Sequence, residues 1–137
     1  MTRVVIDTNL YVSALINENS RRRLNLILDN PQFEIVADNA LFKELRLVIS
    51  RPKFSRFVSE SQIKNFLELL YERSLNFETT SIVQHSPDPK DDFLLALCQD
   101  SGSNYLITGN KRDLLELQRF GKTEILSLTK FIDLHKL

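Results

Sequence analysis

The stretch Val4-Val5-Ile6-Asp7-Thr8-Asn9-Leu10-Tyr11-Val12-Ser13-Ala14-Leu15 decides the fold class. Three consecutive apolar residues at 4–6, all of them β-branched, read as a short strand buried on both faces, the kind found in parallel sheets. Leu10, Ala14 and Leu15 then resume the apolar signal at helical spacing, so Asp7-Thr8-Asn9 is a strand-to-helix turn. In open α/β sheets such turns form the ligand crevice. Capping the helix needs only one polar group of the three, which leaves a surplus. Asp7 therefore stands as a cap or as a ligand, with Thr8 and Asn9 as supporting groups.

Working outward, the same alternation recurs along the chain. Helices are expected over 10–16 and 20–29, and Phe33-Glu34-Ile35-Val36 reads as a second strand after the break at Asn30-Pro31. Asp38 or Asn39 opens a helix running to about Ser50. Residues 60–73 form an amphipathic helix with Ile63, Phe66, Leu67, Leu70 and Tyr71 on its apolar face. An extended segment follows at 75–83, then a helix near 89–100 opened by Ser86-Pro87-Asp88-Pro89. Asn104-Tyr105-Leu106-Ile107-Thr108 is another buried strand, followed by a helix at 111–118, an edge strand at 124–126 and a last helix at 128–135. Strands alternating with helices imply right-handed crossovers and one α/β domain over 1–137. Its expected core is a mostly parallel, twisted sheet of about 4–5 strands, covered by helices on both faces.

Composition bounds the function. The chain of 137 residues is long enough to bury a core without staples. Eighteen basic and eighteen acidic side chains cancel, so no global positive field advertises nucleic-acid binding and any such partner must be held by local patches or through a metal. The single cysteine, Cys98, lies in the apolar run 93–98 and reads as core packing, which matches a reducing, cytoplasmic setting. With no N-terminal basic-plus-apolar region and no apolar stretch of membrane-spanning length, a soluble protein without membrane contact is expected.

Three further acids fall at the same edge of this expected sheet. Leu41, Glu44, Leu45 and Val48 share one helix face, so the Glu44 carboxylate points inward with an apolar stripe and needs a cation or a hydrogen-bond network there. The alternative puts Glu44 at the stripe's edge, reaching water. Asp91 shares a face with Leu94, Leu95 and Cys98, which makes it the inward acid and Asp92 the rim residue. With Asp88 as N-cap and Pro89 as the first helical residue, Asp91 equally well completes a capping box. Asp113 follows the strand at 104–108 through Thr108-Gly109-Asn110-Lys111-Arg112, and Asn110 could cap with Asp113 at the third helical position. Thr108 and Asn110 could instead orient the acid or a metal-bound water.

The blocks at 4–15, 42–54, 88–97 and 104–115, in this order, resemble the PIN-domain nucleases, and most closely the toxin-component branch related to VapC-like ribonucleases. By that similarity Asp7, Glu44, Asp91 and Asp113 fall on the family's acidic, metal-binding and catalytic positions. Asn110 stands where this branch often carries an aspartate, a departure that weakens a second metal position. The resemblance implies RNA as substrate, an antitoxin protein as partner and a homodimer.

Carboxylates brought together repel, and hard oxygen ligands suit one or two Mg²⁺ or Mn²⁺ ions; with no Cys or His near the motifs, zinc does not fit. Such ions would activate water for attack on a phosphodiester. Arg51, Lys53, Arg56, Lys111 and Arg112 are the cations nearest the rim for RNA phosphates, although scattered basic residues are more often solvated. His85 and His135 have no ligand spacing and read as surface groups. A phospho-receiver domain would want paired acids after the first strand, and a haloacid-dehalogenase-type phosphotransferase would want an aspartate at Asn9. The remaining alternative is a catalytically impaired PIN-like module that binds RNA or a partner protein.

Overall fold

The computed structural model describes residues 1–109 and 111–137. The first strand, β1 (Thr2–Ile6), pairs in parallel with β2 (Phe33–Asp38) on one side and β4 (Tyr105–Thr108) on the other. Val5 lies opposite Val36 across one boundary and opposite Leu106 across the other. Val4, Val5 and Ile6 are all fully buried. Because successive strand residues point to opposite faces, this burial means that both faces of the sheet are covered.

Among the described residues the sheet has six strands in the order β3-β2-β1-β4-β6-β5, where β3 is Leu75–Phe77, β5 is Arg119–Phe120 and β6 is Thr123–Ser127. All pairings are parallel except β5 with β6. Two expectations change here. Residues 124–126 are no edge strand, since β6 lies between β4 and the two-residue β5. Gln118 and Gly121 both take positive φ, 60° and 57°, and fold the chain between them into a hairpin that covers the β6 edge. Of the extended segment 75–83, only Leu75–Phe77 joins the sheet.

Eight helices pack on this sheet among the described residues: α1 (Thr8–Ile16), α2 (Glu18–Leu28), α3 (Asn39–Ile49), α4 (Pro52–Ser55), α5 (Glu60–Arg73), α6 (Asp92–Ser101), α7 (Arg112–Leu117) and α8 (Leu128–His135). Their starts follow from local chemistry. Asp38 caps α3 by accepting from the Leu41 N–H at 2.8 Å, and its other oxygen accepts from the Thr79 hydroxyl at 2.5 Å. Ser59 and Gln62 form a reciprocal capping box at α5. The expected helix at 89–100 is a single 3₁₀ turn, Pro89–Asp91, followed by α6. No helix among the described residues is long and apolar enough to cross a membrane.

Two side chains outside the site, His135 and Cys98, have structural work. His135 is half-buried, with its ring 4.2 Å from that of Phe131 in a cluster with Phe33 and Tyr105, so it is no surface group. Burial pushes the Cys98 thiol up to about 12, partly offset by a hydrogen bond with Thr123, which leaves it an inert core group.

Asp100, at the end of α6, fastens the segment after β3. Its carboxylate accepts from the Ser81 hydroxyl, from the Thr80 N–H at 2.6 Å and from the Ser81 N–H at 3.1 Å. These bonds, that from the Ser81 hydroxyl foremost, hold its pKa below the usual carboxylate range. A lowered folded-state pKa stabilises the fold above the ordinary carboxylate value, and that stabilisation is lost as pH falls through the folded value. Urea unfolding from about pH 6 to about pH 3 should therefore show a steeper acid loss in the native protein than in Asp100→Asn. Parallel curves would show that the bonds contribute nothing to folding.

Candidate functional site

The strand order reverses direction between β1 and β4: from β1 the chain proceeds to β2, and from β4 to β6. Such a switch point opens a crevice at the carboxyl ends of the strands. Asp7 directly follows β1 and is 2% exposed. Its backbone N–H donates to the Ile107 carbonyl at 2.8 Å, extending the β1–β4 pairing up to the acid itself. One carboxylate oxygen accepts from the Asn9 N–H at 3.5 Å, a long cap bond, and the other accepts from the Thr108 hydroxyl at 2.8 Å. Capping and site geometry thus coexist in Asp7, and Thr108, the last residue of β4, orients it across the switch.

Asp91 is 1% exposed and makes no capping hydrogen bond, although it stands at the N-cap of α6. Capping falls to Asp88, which accepts from the Lys90 N–H at 3.1 Å. One Asp91 oxygen, Oδ1, pairs with the Lys111 ammonium; the other, Oδ2, is buried with no hydrogen-bond partner among the described residues. Burial pushes the Asp91 carboxyl up, Lys111 offsets part of that rise, and the charges of Asp7 and Asp88 add to it. Burial alone would lower Lys111, but its bond to Asp91 and the charges of Asp7, Asp91 and Asp88 outweigh burial and raise it.

These groups share a crevice of about 240 Å³, lined by Asp7, Thr8, Glu44, Asp88, Asp91 and Lys111 together with Asn9, Val48, Arg51, Lys90 and Phe93. Glu44 is half-buried on α3 while Leu41, Leu45 and Val48 of its stripe are buried. It therefore sits at the stripe's edge, facing the crevice instead of the core. The Thr8 hydroxyl is buried without a partner among the described residues, whereas Asn9 is exposed.

Other expected site residues lie elsewhere. Asp113, half-buried in the first turn of α7, is not among the residues lining the crevice. Asp92 accepts from the backbone N–H groups of His85 and Ser86, at 3.3 and 2.8 Å, so it ties down the preceding loop. Asn110, with the cap and the second metal position assigned to it, lies outside the described residues. Arg51 reaches the rim, whereas Lys53 lies over the Phe54 ring at 4.9 Å and Arg112 pairs with Glu116 at 4.0 Å. Asp88 and Lys90 line the crevice and were not expected there. The signal was present in Asp88-Pro89-Lys90-Asp91, where a helix start carries three charges at the sheet's edge.

The donor set fits a hard cation in part. Every acidic group in the lining is an oxygen ligand, no Cys or His is among them, and the orphaned Asp91 Oδ2 is a buried acceptor in want of a positive partner. Among the described residues, however, no group of three or more His, Cys, Asp or Glu is gathered tightly enough to hold an ion. The crevice suits an ion that keeps several waters, as Mg²⁺ does.

The family model for the PIN domain matches residues 3–112, and the chain belongs to that family. The fold is shared with VapBC2 from Rickettsia felis, solved bound to a DNA fragment from their promoter: the TM-score is 0.61 at 14% identity, over 92% of this chain and 98% of that one. Among curated proteins none matches the sequence.

Proposed function

We propose that this PIN-domain protein is a metal-dependent endoribonuclease and the toxin component of a toxin–antitoxin pair. The observation that carries the reading is the juxtaposition of Asp7 and Asp91, two buried carboxylates at the switch point, one of them with an oxygen unpartnered among the described residues. Asp7, Asp91 and Glu44 would hold one Mg²⁺ or Mn²⁺; Asp113 is the remaining acid for a second, a position that the uncharged Asn110 weakens. A bound ion of this kind supplies an activated water and charge neutralisation for phosphodiester hydrolysis. Thr108 holds Asp7 in one rotamer, so the carboxylate does not have to be ordered when the site loads.

Arg51 and Lys90 at the rim are the cations we assign to RNA phosphates, a local patch on a chain whose net charge is zero. The fold shared with VapBC2 and the sequence blocks that resemble VapC-like toxins support an antitoxin partner; the homodimer rests on that sequence resemblance and the cytoplasmic setting on the lone Cys98.

A second reading, an impaired PIN-like module that binds RNA or a protein, is favoured by the Lys111 ammonium on Asp91 and by the absence of a three-acid cluster among the described residues. Incubating the native protein with structured and single-stranded RNAs, with Mn²⁺ or with EDTA, separates the two. Internal cleavage that requires Mn²⁺ is the expected result. RNA retained intact under both conditions would hand the protein to the binding reading.

A further inference from the structure

We propose that Lys111 is a tethered cation that competes with the divalent ion for Asp91, so that loading the crevice requires the ammonium to leave. The inference rests on the metal-dependent reading above. Lys111 stands at the N-cap of α7, in the loop that leaves β4, and its side chain makes no cap there. Instead it crosses the crevice to Asp91 Oδ1, with its side chain 32% exposed against 2% for that of Asp91. The anchor is thus buried and the cation sits on the solvent side of it.

An ammonium is a compact point charge on a flexible four-carbon stem, able to swing out into water by changing rotamers alone. Asp91 has no such freedom, being the first buried residue of a helix start whose neighbours Asp88 and Asp92 are both engaged with backbone N–H groups. The ammonium covers Oδ1 and leaves Oδ2 without a partner among the described residues. A divalent ion drawn to Oδ2 meets a like charge on the same carboxylate. That repulsion acts in a site partly screened from water, where it is stronger than on an open surface.

The arrangement has a use in the ion-free protein. Asp7, Asp88 and Asp91 all face the crevice. Lys111, with Arg51 and Lys90 in the same lining, offsets their mutual repulsion, and it is the one paired directly with Asp91 among the described residues.

Calorimetric titration of Mn²⁺ into the native protein, K111M and K111R tests the idea without any RNA. K111M, which keeps the stem and loses the charge, should bind Mn²⁺ on the order of tenfold more tightly, the scale on which groups touching a metal ligand change affinity. K111R should stay close to native. Binding by K111M where the native protein shows none would support the proposal equally. K111M affinity equal to or below native overturns the competition and leaves the metal reading intact. Absence of Mn²⁺ binding in all three overturns both. Thermal melts without metal establish that each variant is folded, and K111Q replaces K111M if the latter is not.

Discussion

Asp7→Asn should lose Mn²⁺-dependent RNA cleavage by roughly a hundredfold or more while remaining folded, the scale seen when a group stabilising transition-state charge is removed. The amide keeps the shape of the side chain. Its carbonyl oxygen can still accept from either the Asn9 N–H or the Thr108 hydroxyl, so the turn after β1 retains a cap. What disappears is the negative charge at the switch point, in a position only 2% exposed where water does not substitute for it. Stability should change by no more than about 1 kcal/mol, because one of the two hydrogen bonds is long and the other can be remade. The measurement pairs an RNA-cleavage time course with a urea melt. Cleavage by Asp7→Asn at the native rate would remove Asp7 from the catalytic machinery, whatever the melt shows.

Phe131→Ala should carry the largest cost to folding. Phe131 is fully buried on the inner face of α8, with Phe33 and Tyr105 each 5.2 Å away and the His135 ring at 4.2 Å. Phe33 belongs to β2 and Tyr105 to β4, so one ring joins the last helix to strands on either side of β1. Truncation leaves a cavity bounded by aromatic rings that are themselves held by the sheet and cannot collapse into it. About 3–5 kcal/mol is the usual cost of such a change, a large part of the roughly 5–15 kcal/mol that stabilises a domain. A drop in Tm of roughly 10 °C or more should follow. Since the cluster lies away from the crevice, cleavage per folded molecule should persist at low temperature. A shift of less than about 3 °C would mean that α8 contributes little to holding the sheet.

Much of the core was readable from local patterns. Val4-Val5-Ile6, Ile35-Val36 and Leu106-Ile107 are apolar at consecutive positions, and consecutive burial is what a strand covered on both faces requires. The cap at Asp38 likewise depends only on a residue three positions away. The hairpin of β5 with β6 was not readable, because β5 is two residues long and depends on a positive φ at Gln118, a residue type with no preference for it. Arg119–Phe120 becomes a strand only because β6 offers it an edge.

The acids divide in the same way. Asp7 could be placed from the strand preceding it and the helix following it, because both neighbours in sequence are its neighbours in space. Asp91 and Asp92 could be ranked by helix face, but only the packed loop at His85 and Ser86 shows what Asp92 does. Lys111 and Asp91 are separated by 20 residues and meet through the β4–α7 turn, so no local pattern announces their pair. Asp113 follows the right strand and yet is absent from the crevice lining, lying half-buried in the first turn of α7.

What periodicity and turn chemistry decide here is the α/β class, the central strands and the edge of the sheet at which polar groups collect. Which of those groups share a crevice, and which cation already occupies it, depends on pairing β1 with β4 across about a hundred residues of chain, a choice made by burial of the whole sheet.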